Sequence, residues 1–157
     1  ALALDAALPR GIRVLAADAV DTHHAALMSQ AAGASYRVTL PYSKDVSAAV
    51  AEFNAAPELL FKKAAPKTKA KFKEIDVKFY IPQLTAEQTE TETIFSFDCK
   101  ITPTGSMKAV DLLNALNEQY GLALPVEMAD IERLRLYRNN KNGKPIPMLN
   151  SDAVTLG

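Results

Sequence analysis

The stretch IFSFDCKI at residues 94–101 decides the fold. Phe95, Phe97, Cys99 and Ile101 alternate with Ile94, Ser96, Asp98 and Lys100, the period of a strand that buries one face. The first set is the more apolar, so it is expected to face a core and the second to face water. Downstream, Thr104-Gly105-Ser106 turns into a predicted helix in which Ala109, Leu112, Leu113, Leu116 and Tyr120 share a side. Gly121 stops it. Leu134 and Leu136 then alternate with Arg133, Arg135 and Tyr137 as a last strand.

Upstream, the polar run TAEQTETE at 85–92 reads as a loop rather than a tight hairpin turn. Before it, Ile75, Val77, Phe79 and Ile81 alternate with charged or polar neighbours and predict a strand ending at Pro82. Leu59–Lys63 is a shorter strand candidate, and AAPKTKAK at 64–71 is a basic loop. Ser43 is the expected cap of a helix that buries Val46, Ala49, Val50 and Phe53 and ends before Pro57. Tyr36, Val38 and Leu40 form the strand before it. The order from there is strand, helix, strand, strand, helix, strand, which predicts an α+β ferredoxin-like β-α-β-β-α-β sandwich over residues 34–138. Two helices are expected on one face of an antiparallel sheet, leaving the other for a partner.

Residues 1–33 read as a remnant of an upstream subdomain: a helix end broken by Pro9-Arg10-Gly11, a short strand at 11–17, and a short helix at 22–33 stopped by Gly33. Residues 139–157 read as a flexible tail.

The 157 residues are 48% hydrophobic and 23% charged, too apolar for disorder. Net charge is zero, so any pull toward nucleic acid must come from local patches. A single cysteine and the lack of a spanning apolar run point to a cytoplasmic protein without a membrane partner. One cysteine and two adjacent histidines, His23 and His24, do not make a zinc or iron–sulfur ligand set, because neighbours on a helix point different ways. Cys99 lies on the core phase of its strand, as a small apolar residue rather than a nucleophile. Asp76, Asp98, Glu90 and Glu92 read as solvated carboxylates. No nucleophile elbow or phosphate-binding loop occurs.

Two basic clusters are candidates for phosphate contacts: Lys62, Lys63, Lys67, Lys69, Lys71 and Lys73, and Arg133, Arg135 and Arg138. Gly105 and Ser106, placed before a helix, are a candidate anion site.

The stretches LPRGIRVLAA (8–17), SYRVTLP (35–41), KEIDVKFYI (73–81), TPTGSMKAVDLLNAL (102–116) and IERLRLYR (131–138) resemble, in order, the C-terminal portion of the radical SAM-linked domain family, domain of unknown function 2344. The resemblance implies a bacterial, non-catalytic accessory domain working with a radical SAM protein in cis or in trans. It would present a substrate or bind RNA, or alternatively serve as a protein-docking module with no nucleic-acid role. The iron–sulfur cluster, S-adenosylmethionine and any cobalamin would belong to the partner domain, with no cofactor here. The cysteine triplet of radical SAM chemistry does not occur in this chain. Docking through the open face would be sensitive to charge at Thr39 or Ser96.

Overall fold

The computed structural model describes residues 2–17, 19, 21, 23, 25–64, 71–148 and 154–155. Its elements run α1 (Leu2–Ala7), β1 (Ala16–Ala17), α2 (Leu27–Gln30), β2 (Ala31–Leu40), α3 (Ser47–Ala55), β3 (Leu60–Ala64), β4 (Phe72–Asp76) and α4 (Val77–Tyr80). They continue β5 (Leu84–Gln88), β6 (Thr93–Thr102), β7 (Gly105–Ser106), α5 (Ala109–Tyr120), β8 (Asp130–Asn139), β9 (Pro145–Pro147) and β10 (Val154–Thr155). The fold is α+β with antiparallel sheets. The main sheet has the order β5-β6-β2-β8-β9, with β7 folded back on β6. β3 pairs with β4, and β1 with β10, as separate two-stranded ribbons.

The alternation at 94–101 places its side chains as expected: Phe95, Phe97 and Cys99 are buried, whereas Asp98 and Lys100 are exposed. Val38 lies opposite Phe95 and Tyr36 opposite Phe97, and the latter two rings stack at 5.6 Å. Against this face pack Val46 and Phe53 around α3 and Leu112, Leu113 and Leu116 of α5, all essentially free of solvent. Each such side chain contributes about 1.5–3 kcal/mol of burial. The helices are tied to the chain that follows by two asparagines. Asn54 donates to the Leu84 carbonyl (2.8 Å) and accepts its N–H (2.9 Å). Asn117 does the same for Leu124 at 3.0 and 2.9 Å.

Several local expectations are corrected. Among the described residues of 22–33, only Leu27–Gln30 is helical; Ala31–Gly33 already belongs to β2, where Gly33 is an internal strand residue rather than a helix stop. Residues 22 and 24 lie outside the described residues. The strand expected at 11–17 is confined to Ala16–Ala17, with Ile12 and Leu15 exposed. α3 starts at Ser47 rather than after a Ser43 cap; Asp45 accepts the N–H and hydroxyl of Ser47 and is held below the usual carboxylate range by those bonds.

The single strand expected over 75–81 is a strand end followed by a helical turn. Asp76 accepts the Lys78 N–H at 3.0 Å and starts that turn. Val77 and Ile81 are buried under either period, but Phe79 is exposed, which a strand would not allow. The loop expected at 85–92 is instead strand β5 plus a tight turn closed by Thr89 N–H to the Glu92 carbonyl at 2.9 Å. Within the segment read as a tail, Pro145–Pro147 pairs with β8 as an edge strand, and Val154–Thr155 pairs with Ala16–Ala17.

Candidate functional site

Among the described residues, the basic side chains singled out from the sequence lie on separate elements. Lys62, Lys63 and Lys73 stand on the β3–β4 hairpin, Lys71 immediately precedes β4 with a left-handed backbone (φ 58°), and Lys67 and Lys69 lie outside the described residues. Lys62 is paired across the hairpin with Glu74. Lys63 turns inward, and its ammonium donates to Asp111 at 2.6 Å. Asp111 also accepts the Lys108 N–H at 3.1 Å, so the N-terminus of α5 already holds an internal carboxylate. Gly105 and Ser106 are not at that helix end. They form β7, paired with Thr102 and Ile101.

The arginines are split by a bulge. β8 runs beside β2 with Tyr36 opposite Arg133 and Ser35 opposite Arg135, so Leu134 is the extra residue. Side-by-side residues project to the same side of a sheet. Arg133 therefore shares the Tyr36 side, which packs on Phe97, and Arg135 shares the opposite, Ser35 side. Arg138 lies beside Ala31 and Ile146, farther along β8.

That opposite side is where polar groups converge. Asp98, Ser35 and Arg135 stand in a row on β6, β2 and β8. The Ser35 hydroxyl donates to Asp98. Among the described residues no hydrogen bond or ion pair engages the Arg135 guanidinium or the Tyr137 hydroxyl. Burial, and then the Asp98 carboxylate, pushes the Tyr137 hydroxyl above its usual range, so it stays a donor at neutral pH. One row along, Arg37 and Glu132 pair at 3.6 Å on the same side.

These groups line a cavity of 580 Å³ whose polar members are Ser35, Asp98, Arg135 and Tyr137. Pro145, Pro147 and Met148 supply apolar surface, Pro147 standing opposite Tyr137, and Leu136 and Ile146 border it from strand positions that project the other way. A second cavity of 300 Å³ also uses Ser35 and Asp98 and extends over Ser96, Thr85 and Leu134. The two share their central residues and so make one groove across the sheet. Tyr137 is set into it by Gly33: a Cβ at that position would lie 2.3 Å from the tyrosine oxygen. Only a residue without a side chain admits this contact.

Of the groove residues, sequence reasoning found Arg135, for a different role, and read Asp98 as solvated. Ser35 and Tyr137 were missed. The signal was their place on the outward phase of two strands, but cross-strand register is needed to see that they meet. Cys99 is buried, its thiol pushed up by that burial, with Sγ 3.5 Å from the Met107 carbonyl. Among the described residues, no group of three or more His, Cys, Asp or Glu side chains is placed to hold a metal. No helix among them is long and apolar enough to cross a membrane.

Fold and groove define an α+β domain with a helix-covered core face and a polar, grooved sheet face. The chain belongs to the family described as an uncharacterized protein conserved in bacteria (DUF2344), whose pattern matches residues 1–113. No curated protein and no solved structure matches it.

Proposed function

We propose that this chain is a non-catalytic accessory domain that holds substrate for a radical SAM protein, in cis or in trans, on its grooved sheet face. The association with radical SAM chemistry rests on the sequence resemblance, and the cluster, S-adenosylmethionine and any cobalamin belong to the partner. The observation that carries the binding role is the row Asp98–Ser35–Arg135, with Tyr137 beside it, lining one groove with no partner for the guanidinium among the described residues. We read the fold as ferredoxin-like. With the β3–β4 hairpin set aside as an insertion, β2-α3-β5-β6-α5-β8 has the β-α-β-β-α-β order, and the neighbours β5-β6-β2-β8 support that reading.

The test is retention of ligand by the chain assembled with its radical SAM protein. Dialysis against a bacterial small-molecule extract, followed by mass spectrometry, is expected to show compounds enriched by the wild type and lost with Ser96→Glu. An enrichment that Ser96→Glu leaves unchanged refutes the face as the binding site. If Thr39→Glu and Ser96→Glu instead break co-purification of the two proteins, the docking reading replaces this one. The RNA reading is weakened by the pairing of Lys63 with Asp111 and the placing of Glu74 beside Lys62. It predicts retained RNA with affinity falling steeply in salt.

A further inference from the structure

The groove carries opposite charges at a defined spacing. Asp98 and Arg135 flank Ser35 on adjacent strands, which puts their backbones two strand spacings apart, about 10 Å. Their side chains do not pair with each other: Asp98 is engaged by the Ser35 hydroxyl, and Arg135 by nothing among the described residues. A guanidinium without a partner among the described residues, a phenol donor and a half-engaged carboxylate around one cavity select for a molecule carrying both a positive and a negative charge. The cavity, at 580 Å³, is within the usual range of about 300–1,000 Å³ for small-molecule sites.

We propose that the groove binds a small zwitterion with an apolar body, its anionic group held by Arg135 and Tyr137, its ammonium by Asp98, and its apolar part against Pro145, Pro147 and Met148. A zwitterion makes charge-assisted hydrogen bonds with both of its charged groups. A ligand with one charge desolvates the other protein group without replacing its water. This inference rests on the reading of the grooved face as the substrate-holding face, and it names the chemistry that face selects.

The experiment uses three probes with one apolar body: leucine, 4-methylpentanoate (no ammonium) and isopentylamine (no carboxylate). Titration of the full chain, followed by calorimetry and by chemical shifts of the Tyr137 ring, is expected to give leucine binding at least about tenfold tighter than either single-charge probe. Arg135→Ala should reduce leucine to the level of isopentylamine, and Asp98→Asn, which keeps a hydrogen-bond acceptor for Ser35, should reduce it to the level of 4-methylpentanoate. If the carboxylate alone binds as tightly as leucine, the role of Asp98 is overturned. If Arg135→Ala changes nothing, the site is overturned. If no probe binds while Ser96→Glu still abolishes ligand retention by the assembled protein, the zwitterion is wrong and the binding face stands. If Ser96→Glu changes nothing either, both fall.

Discussion

Gly33→Ala tests whether the Tyr137 ring really lies on the backbone of β2. A methyl group there would sit 2.3 Å from the tyrosine oxygen, 2.4 Å from Cζ and 2.6 Å from Cε2, so the ring cannot stay. The backbone of Gly33 is locked in the ladder between β6 and β8, whereas Tyr137 is only half-buried, so the ring is what moves. Swinging it out exposes on the order of 80 Å² of aromatic surface, about 2 kcal/mol at roughly 25 cal/mol per Å². Alanine offsets part of this, because glycine inside a strand is worse than alanine by about 0.5–1 kcal/mol. The net expectation is a loss of about 1 kcal/mol in the wild-type background. In a Tyr137→Ala background the clash is gone, and the same change should stabilise by about 0.5–1 kcal/mol. Urea denaturation of the four proteins of this cycle gives a coupling of about 2 kcal/mol if the reasoning holds. Equal effects of Gly33→Ala in both backgrounds would refute it.

Three further outcomes follow from other contacts. Asp111→Ala removes both the Lys108 N–H acceptor and the partner of a partly buried ammonium, and should cost about 2 kcal/mol in urea denaturation. Lys63→Met, which leaves the cap in place, should cost under about 1 kcal/mol, and the reverse ranking would contradict the geometry. Thr93→Val is nearly isosteric but strips the donor from the Tyr42 carbonyl (2.6 Å) and the acceptor from Gln88 (2.8 Å) in a site with no solvent; a loss of about 1–3 kcal/mol is expected, against near zero if that network is incidental. Burial holds the Cys99 thiol above the ordinary thiol value of about 8.5, so on raising the pH the unfolded chain releases this proton first. Stability from this group is therefore complete below about pH 8.5 and declines above it. Cys99→Ala should flatten the drop in urea midpoint between about pH 7 and 9.5, and an unchanged drop would assign it to other groups.

Residues whose environment follows from their own strand or helix were legible. The inward set Phe95, Phe97 and Cys99, and the buried side of α5, were readable because period and burial agree there. β5 was not, since its inward residues after Leu84 are Ala86 and Gln88, too weakly apolar to outweigh Thr85 and Glu87. At 77–81 the two periods coincide on Val77 and Ile81, and the capping bond from Asp76 decides between them. Gly33 read as a helix stop because its close neighbour, Tyr137, is more than a hundred residues away in sequence. The groove was invisible for the same reason. Asp98, Ser35 and Arg135 come from three strands, and the bulge at Leu134 turns Arg135 away from the side of Arg133.

The β3–β4 hairpin leaves and re-enters the domain at a single clasp. Asp76 accepts the N–H groups of both Leu59 and Lys78 at 3.0 Å, and the Leu59 carbonyl accepts the Val77 N–H at 2.8 Å. Entry and exit are thus fixed to each other independently of what lies between them. Beyond Lys63, which is held by Asp111, a change in the length of the arm would leave Leu84, Val77 and the sheet in place, because closing a longer loop over a fixed base costs little, about 0.6 kcal/mol for each doubling. The hairpin is therefore an arm whose length is set apart from the register of the grooved face.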